Sequence, residues 1–130
     1  MITRQSELVH VLSLLHGELP SSQWVALIDD RGLVVACVPE MPSVDVERIS
    51  AMAAALAMSG ERVIKEINGG GLRFINVAGS ARQQLVIMLG GEFLLSLGLD
   101  PEIAPSSTFR PLSERVTEIV RILKKNYNGG

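Results

Sequence analysis

Residues 43–68 constrain the fold more than any other stretch. Their middle, Ile49-Ser50-Ala51-Met52-Ala53-Ala54-Ala55-Leu56-Ala57-Met58, holds one polar residue, Ser50. A surface helix needs only one apolar stripe, so a helix apolar all round has to be covered on more than one side. At helical spacing two faces separate. Ile49, Met52, Ala53, Leu56, Gly60, Val63, Ile64 and Ile67 carry the bulky side chains and suit the chain's own core. Ala51, Ala54, Ala55 and Met58, with Arg62 one turn beyond, make a flatter face that admits another backbone at close range. A chain of 130 residues has few further elements to supply that backbone, so the simplest partner is the same helix in a second copy.

The length fits one domain over residues 1–130, with an ordered core from about 3 to 126 and a flexible tail at 127–130. Hydrophobic residues at 47% and charged residues at 20% exclude disorder. The 12 basic and 14 acidic residues give a net charge of −2, which provides no electrostatic footprint for nucleic acid or an anionic membrane. Cys37 is the one cysteine, so no intrachain disulfide forms, and a reducing, cytoplasmic setting is expected. Residues 1–20 carry Arg4, Glu7, His10 and His16 and lack the clean apolar core of a signal peptide. The longest apolar run, from Ala51 to Met58, falls short of the ~18 residues a membrane span requires.

Taken in order, residues 3–17 read as an amphipathic helix. Thr3 can cap it, and Leu8, Val11, Leu12 and Leu15 form its stripe. Strands are expected at 23–29 and 33–38, joined by the tight turn Asp30-Arg31-Gly32, in which Asp30 favours the turn start and Gly32 the left-handed exit. Pro39 and Pro42 stop the second strand, and Ser43 is the expected N-cap of the long helix. Asn68-Gly69-Gly70-Gly71 ends that helix. Three strands follow near 72–78, 84–89 and 92–98. A two-residue Gly90-Gly91 turn would pair Ile87 with Leu94 on one face, and Met88 with Phe93 and Val86 with Leu95 on the other. Both faces are then apolar, which calls for helices on two sides. The last helix is expected over 108–126, burying Phe109, Leu112, Val116, Ile119, Val120 and Leu123, with Glu118 able to pair with Arg121 on its wet side. Short connections within each strand group imply an antiparallel sheet.

The ordered combination of three stretches resembles the Roadblock family, named for dynein light chains. They are Val25-Ala26-Leu27-Ile28-Asp29-Asp30-Arg31-Gly32-Leu33-Val34-Val35-Ala36, the Ala-rich helix to Ile67, and Leu85-Val86-Ile87-Met88-Leu89-Gly90-Gly91-Glu92-Phe93-Leu94-Leu95-Ser96-Leu97. The resemblance covers roughly residues 3–126 and implies an α+β, profilin-like fold. Its order is α-β-β-α-β-β-β-α, with five antiparallel strands between helices, the long helix on one face and the terminal helices on the other. It also implies dimerisation through the long helix and the third strand, and service as a platform or regulator for a Ras-like small GTPase. The third strand would lie at the sheet edge, too apolar for Arg73 and Asn76 to guard it. The expected dimer contact is therefore Ala51, Ala54, Ala55, Met58 and Arg62 of the helix with Leu72, Arg73, Phe74, Ile75 and Val77 of the strand.

The residues that carry enzyme chemistry are not assembled in recognisable patterns. Gly69-Gly70-Gly71 follows a helix and lacks the Gly-Lys-Ser/Thr of a phosphate loop. His10 and His16 lie six apart, on different helix faces, and cannot jointly hold a metal by local spacing. Cys37 sits in an apolar strand and reads as a small buried side chain. Arg82 reads as a solvated loop arginine, although it could reach a nucleotide on a bound GTPase. The leading expectation is a non-catalytic homodimeric scaffold for a Ras-like GTPase, with no cofactor, no metal, no nucleic acid and no membrane insertion. The alternatives are a small-molecule sensor, which would need a well-formed internal cavity, and a small hydrolase or transferase, which would need a nucleophile–base pair.

Overall fold

The computed structural model of the chain describes residues 2–125. In order it contains α1 (Arg4–Glu18), β1 (Ser22–Asp29), β2 (Val34–Val38), α2 (Val46–Glu66), β3 (Phe74–Ala78), β4 (Gln83–Met88), β5 (Phe93–Leu99), a 3₁₀ turn (Pro105–Thr108) and α3 (Phe109–Lys124). The strands form one antiparallel sheet in the order β2-β1-β5-β4-β3. This is the expected α-β-β-α-β-β-β-α arrangement. The expected end of the last helix at 126 and the tail at 127–130 lie outside the described residues.

The chain forms these elements for local reasons. At α1 the Thr3 hydroxyl accepts from the Ser6 backbone N–H, and the Ser6 hydroxyl accepts from Thr3 N–H, a reciprocal cap. The α2 N-cap is Asp45 rather than Ser43: the helix starts at Val46, and the Asp45 carboxylate accepts from Arg48 N–H at 3.2 Å. In the β1–β2 turn it is Asp29, not Asp30, that organises the chain. Asp29 Oδ1 accepts from the N–H groups of Arg31 and Leu33 at 2.9 and 3.0 Å. The Leu33 bond above all holds the Asp29 carboxyl below the usual range. Gly32 has φ +87°, and a Cβ there would stand 2.7 Å from Ala51 Cα, so the turn can tuck against α2 only because this residue has no side chain.

The final hairpin departs from expectation. Its register is Ile87↔Leu95, Met88↔Leu94 and Val86↔Ser96, with Leu89 N–H donating to Phe93 O, so Gly90-Gly91-Glu92 is a three-residue loop. Gly90 and Gly91 both have positive φ, and the added residue moves every pairing by one. Ile87 and Leu95 consequently share one face, and Met88 and Leu94 the other.

The core has two compartments. Leu85, Leu95, Leu97 and Leu99 pack under Leu8, Leu12 and Leu15 of α1 and Leu112, Ile119 and Ile122 of α3. Trp24, Ile28, Val86 and Leu94 pack under Ala53, Ala54 and Ala57 of α2. Across the first compartment Arg115 of α3 grips Glu18 of α1 with two bonds of 2.6 and 2.8 Å, and also pairs with Glu118, which therefore does not need Arg121. In the second compartment the Trp24 indole lies over Gly98, and its N–H donates to Ser96 Oγ at 3.3 Å.

Both compartments can be probed by single substitutions. A Cβ at Gly98 would fall within the Trp24 ring. Gly98→Ala should cost about 1–3 kcal/mol in chemical denaturation and shift the emission of Trp24, the one tryptophan; wild-type values for both would refute the contact. The Arg115 bond depresses the Glu18 pKa below its ordinary value of 4.5, so its contribution is present above that value and lost as pH falls through the depressed folded value. Glu18→Gln should lower Tm at pH 7, with the gap to wild type closing below about pH 4; a gap independent of pH would show that the ion pair contributes nothing.

Candidate functional site

A sheet of this kind has two edges, and here they differ. The β2 edge is irregular: Leu27 pairs with Ala36 and Ile28 with Val34, leaving Val35 as a bulge, and Pro39 follows directly on the strand's last residue, Val38. Bulges and prolines blunt an edge against further pairing. The β3 edge has neither. Phe74 to Ala78 pair without interruption against Ile87 to Gln83. Met88 N–H donates to Arg73 O at 3.0 Å and Gly79 N–H to Arg82 O at 2.9 Å, which turns residues 73, 75, 77 and 79 towards β4. The backbone groups of Phe74, Asn76 and Ala78 therefore point outward along an open, regular edge.

The surface of α2 beside that edge is apolar, but not in the way its size pattern implies. The row against the sheet is Ser50, Ala53, Ala54 and Ala57. Ala54, expected to face a partner, is 6% exposed inside its own core. Of the bulky row expected to face inward, Ala53 is buried and Ile49, Leu56, Gly60 and Ile64 are half-buried, while Met52, Val63 and Ile67 stand outside the core, 52%, 59% and 66% exposed. The physical reason is closeness: Trp24, Val86 and Leu94 already fill the sheet face, so the helix approaches on its small residues. Gly60 marks the same approach at β3, where a Cβ would lie 2.8 Å from Ile75 Cδ1 and 3.1 Å from Leu72 Cδ2.

Of the other expected contact residues, Ala51, Ala55, Met58 and Arg62 are exposed on α2. Leu72 and Arg73 precede β3 instead of lying within it, Leu72 and Ile75 are half-buried under α2, and Arg73, Phe74 and Val77 are exposed. Phe74 turns to the opposite face and meets Phe109 edge-on, with ring centroids 5.0 Å apart. The structure thus gathers Met52, Ala55, Val63, Ile75 and Val77 on one side of the molecule and takes Ala54 out of the surface set. Met52, Val63 and Ile67 are the residues that size pattern missed. The signal for them is the row of small residues, Ser50, Ala53, Ala54 and Ala57, which recur three and four apart and turn the larger side chains to the flank.

Two open grooves stand out among the described residues. One, about 780 Å³, runs between α1 and α3 and is lined by His10, Leu14, Arg115, Glu118 and Arg121. Another, about 370 Å³, lies where Phe74 and Ile87 meet Phe109 and Val116. Among the described residues no His, Cys, Asp and Glu side chains converge as a metal site, and no helix is long and apolar enough to cross a membrane. Cys37 is half-buried on β2, its thiol donates to Pro39 O at 3.3 Å, and burial raises its pKa.

A five-stranded antiparallel sheet with two helices on one face and one long helix on the other is the profilin-like fold. The chain belongs to the Roadblock/LC7 domain family, whose profile matches residues 11–97. It is similar in structure to a Roadblock/LC7 domain from Streptomyces avermitilis, with 18% identity, 90% of this chain and 98% of that chain covered, and a TM-score of 0.81. The gliding protein MglB from Thermus thermophilus superposes with a TM-score of 0.80 at 18% identity, covering 94% of this chain and 92% of that one. Profilin II of Acanthamoeba castellanii shares the fold at a TM-score of 0.56 and 14% identity, with 87% and 96% covered. No curated protein matches the chain in sequence.

Cys37 gives a simple check on its reading as a packed side chain. At pH 8 its thiol should react with a disulfide reagent at least about tenfold more slowly than a free thiol. A faster reaction would mark it as an activated nucleophile.

Proposed function

We propose that the chain is a non-catalytic scaffold that forms a two-fold homodimer and binds a Ras-like small GTPase. The observation that carries the homodimer is the regular β3 edge lying next to the exposed apolar flank of α2. An edge with free N–H and C=O groups is satisfied by an added strand, and a second β3 is the strand of matching length and pattern. The same association covers Met52 and Val63 while β3 of one copy joins β3 of the other in one continuous sheet. Membership of the Roadblock/LC7 family supports the GTPase as partner, and the faces left outside the dimer provide room for it. The sensor reading is weaker, because the hollows above are open grooves in place of an enclosed polar-lined chamber.

Two measurements test this. Sedimentation at micromolar concentration should show a dimer. Hydrogen exchange should then protect the amides of Phe74, Asn76 and Ala78, which point away from β4 in the isolated chain. Free exchange of this alternate set in an intact dimer would place the contact elsewhere. Purified small GTPases from the same cell, loaded with GDP or a GTP analogue, should include one that the dimer retains in a nucleotide-dependent manner. If none is retained in either state, the GTPase part of the reading is wrong.

A further inference from the structure

The groove of about 370 Å³ where β3 meets α3 has a chemistry of its own. Phe74 and Ile87 line it from the sheet, and Phe109, Ser113 and Val116 line it from α3. The chain has three phenylalanines, and two of them meet here: Phe74 is 39% exposed and Phe109 is half-buried. Phenylalanine is among the residues most often buried, and exposed aromatics beside arginine are what protein interfaces gather. Arg73 lines the groove and Arg110 follows Phe109. Both are exposed, and neither has an ion-pair partner among the described residues. Among those residues no Asp or Glu lines the groove, and Glu114, one turn after Arg110, makes no ion pair with it. We infer that this groove docks an acidic amphipathic helix of a partner protein, with its apolar stripe on Phe74, Ile87, Phe109 and Val116 and its carboxylates towards Arg73 and Arg110. Phe74 faces away from α2, so the inference needs neither the homodimer nor the GTPase proposed above.

Length and charge select that occupant. From Phe109 to Val116 the α3 wall advances two turns, ~10 Å, the span of apolar positions i, i+3, i+4 and i+7 on a docked helix. The two uncompensated arginines set the partner's sign. The groove between α1 and α3 differs in this respect, because Arg115 there is held by Glu18 and Glu118, and Lys125 pairs with Glu7. A second copy of the chain does not suit the site: a two-fold contact of groove with groove would set Arg73 and Arg110 against the same arginines. An anionic membrane has the right sign, but Phe74 and Phe109 line a hollow between strand and helix, whereas insertion into lipid needs apolar side chains that protrude.

Peptide display on the full chain tests this. A library of helix-forming peptides panned on the wild-type protein should enrich sequences with apolar residues at i, i+3, i+4 and i+7 and Asp or Glu beside them. The best of these, labelled for fluorescence anisotropy, should bind about tenfold more weakly to Arg73→Glu and to Arg110→Glu, and more weakly still as salt rises. Phe74→Ser should weaken it at least about tenfold. Arg121→Glu, whose charge lines the other groove, should bind it like wild type. The arginine variants change exposed side chains, so circular dichroism should stay unchanged and they decide the matter even where Phe74→Ser fails to fold. A panning that enriches no peptide, enrichment of neutral or basic sequences, or binding indifferent to both arginine reversals overturns the inference. Retention on phosphatidylserine vesicles without peptide binding assigns the surface to lipid and overturns it equally. A monomeric chain that retains no GTPase yet passes the peptide test overturns the function proposed above and leaves the groove standing.

Discussion

Strand β5 buries Leu95, Leu97 and Leu99 beneath α1 and α3 and turns Leu94 and Ser96 to α2. Both faces of the sheet therefore need a roof. Five strands at ~4.8 Å spacing make a surface roughly 20–24 Å wide, whereas a helix with its side chains is ~10–12 Å across. Two helices suffice for one face. One helix does not suffice for the other, and the shortfall falls at β3, where Val77 is 48% exposed and Gly60 lies close over Ile75. The association proposed above answers that shortfall, since a second α2 lying beside the first would complete the cover.

Ordering on α2 follows from how closely it must lie. The sheet beneath it already carries Trp24, Ile28, Val86 and Leu94, and the Trp24 indole occupies the space above Gly98. Bulky residues on the helix's inner row would hold the two layers apart and leave voids, which close-packed interiors do not tolerate. Alanines allow contact, and Ser50, Ala53, Ala54 and Ala57 form that row. The larger side chains are left for the flank, where their burial depends on something outside the chain.

This explains what could be read from the residues and what could not. The Asn68-Gly69-Gly70-Gly71 terminator and the α1 stripe of Leu8, Val11, Leu12 and Leu15 are local, and the structure reproduces them. The assignment of α2's faces is not local. Size alone sends Met52 and Val63 inward, and only the occupied sheet surface reverses it. The Gly90-Gly91 turn failed for a related reason: two glycines permit a two-residue turn, but the loop takes Glu92 as well, Asp30 N–H donates to Glu92 O at 2.8 Å, and Ile87 comes opposite Leu95. The α2 cap lies at Asp45 and not at Ser43: both residues can cap, and it is the Asp45 carboxylate that accepts from Arg48 N–H.

The two edges of the sheet differ, which would give the proposed association a direction. A chain with two regular open edges would add copies without limit at both ends. The bulge at Val35 and the proline that follows Val38 disqualify β2, while β3 pairs evenly along its whole length. With only one competent edge, the proposed pairing would close on itself: once β3 of one copy met β3 of another, neither sheet would have a second regular edge to offer. In that proposed dimer the helix flank would reinforce the closure. It lies beside β3 and on one face only, so two copies that met in any other orientation could not satisfy the strand and the flank together. Strand pairing alone is nearly indifferent to register, since backbone groups repeat every two residues. In the proposed homodimer, the apolar helix flank would be the part of the contact able to hold the strands in one alignment.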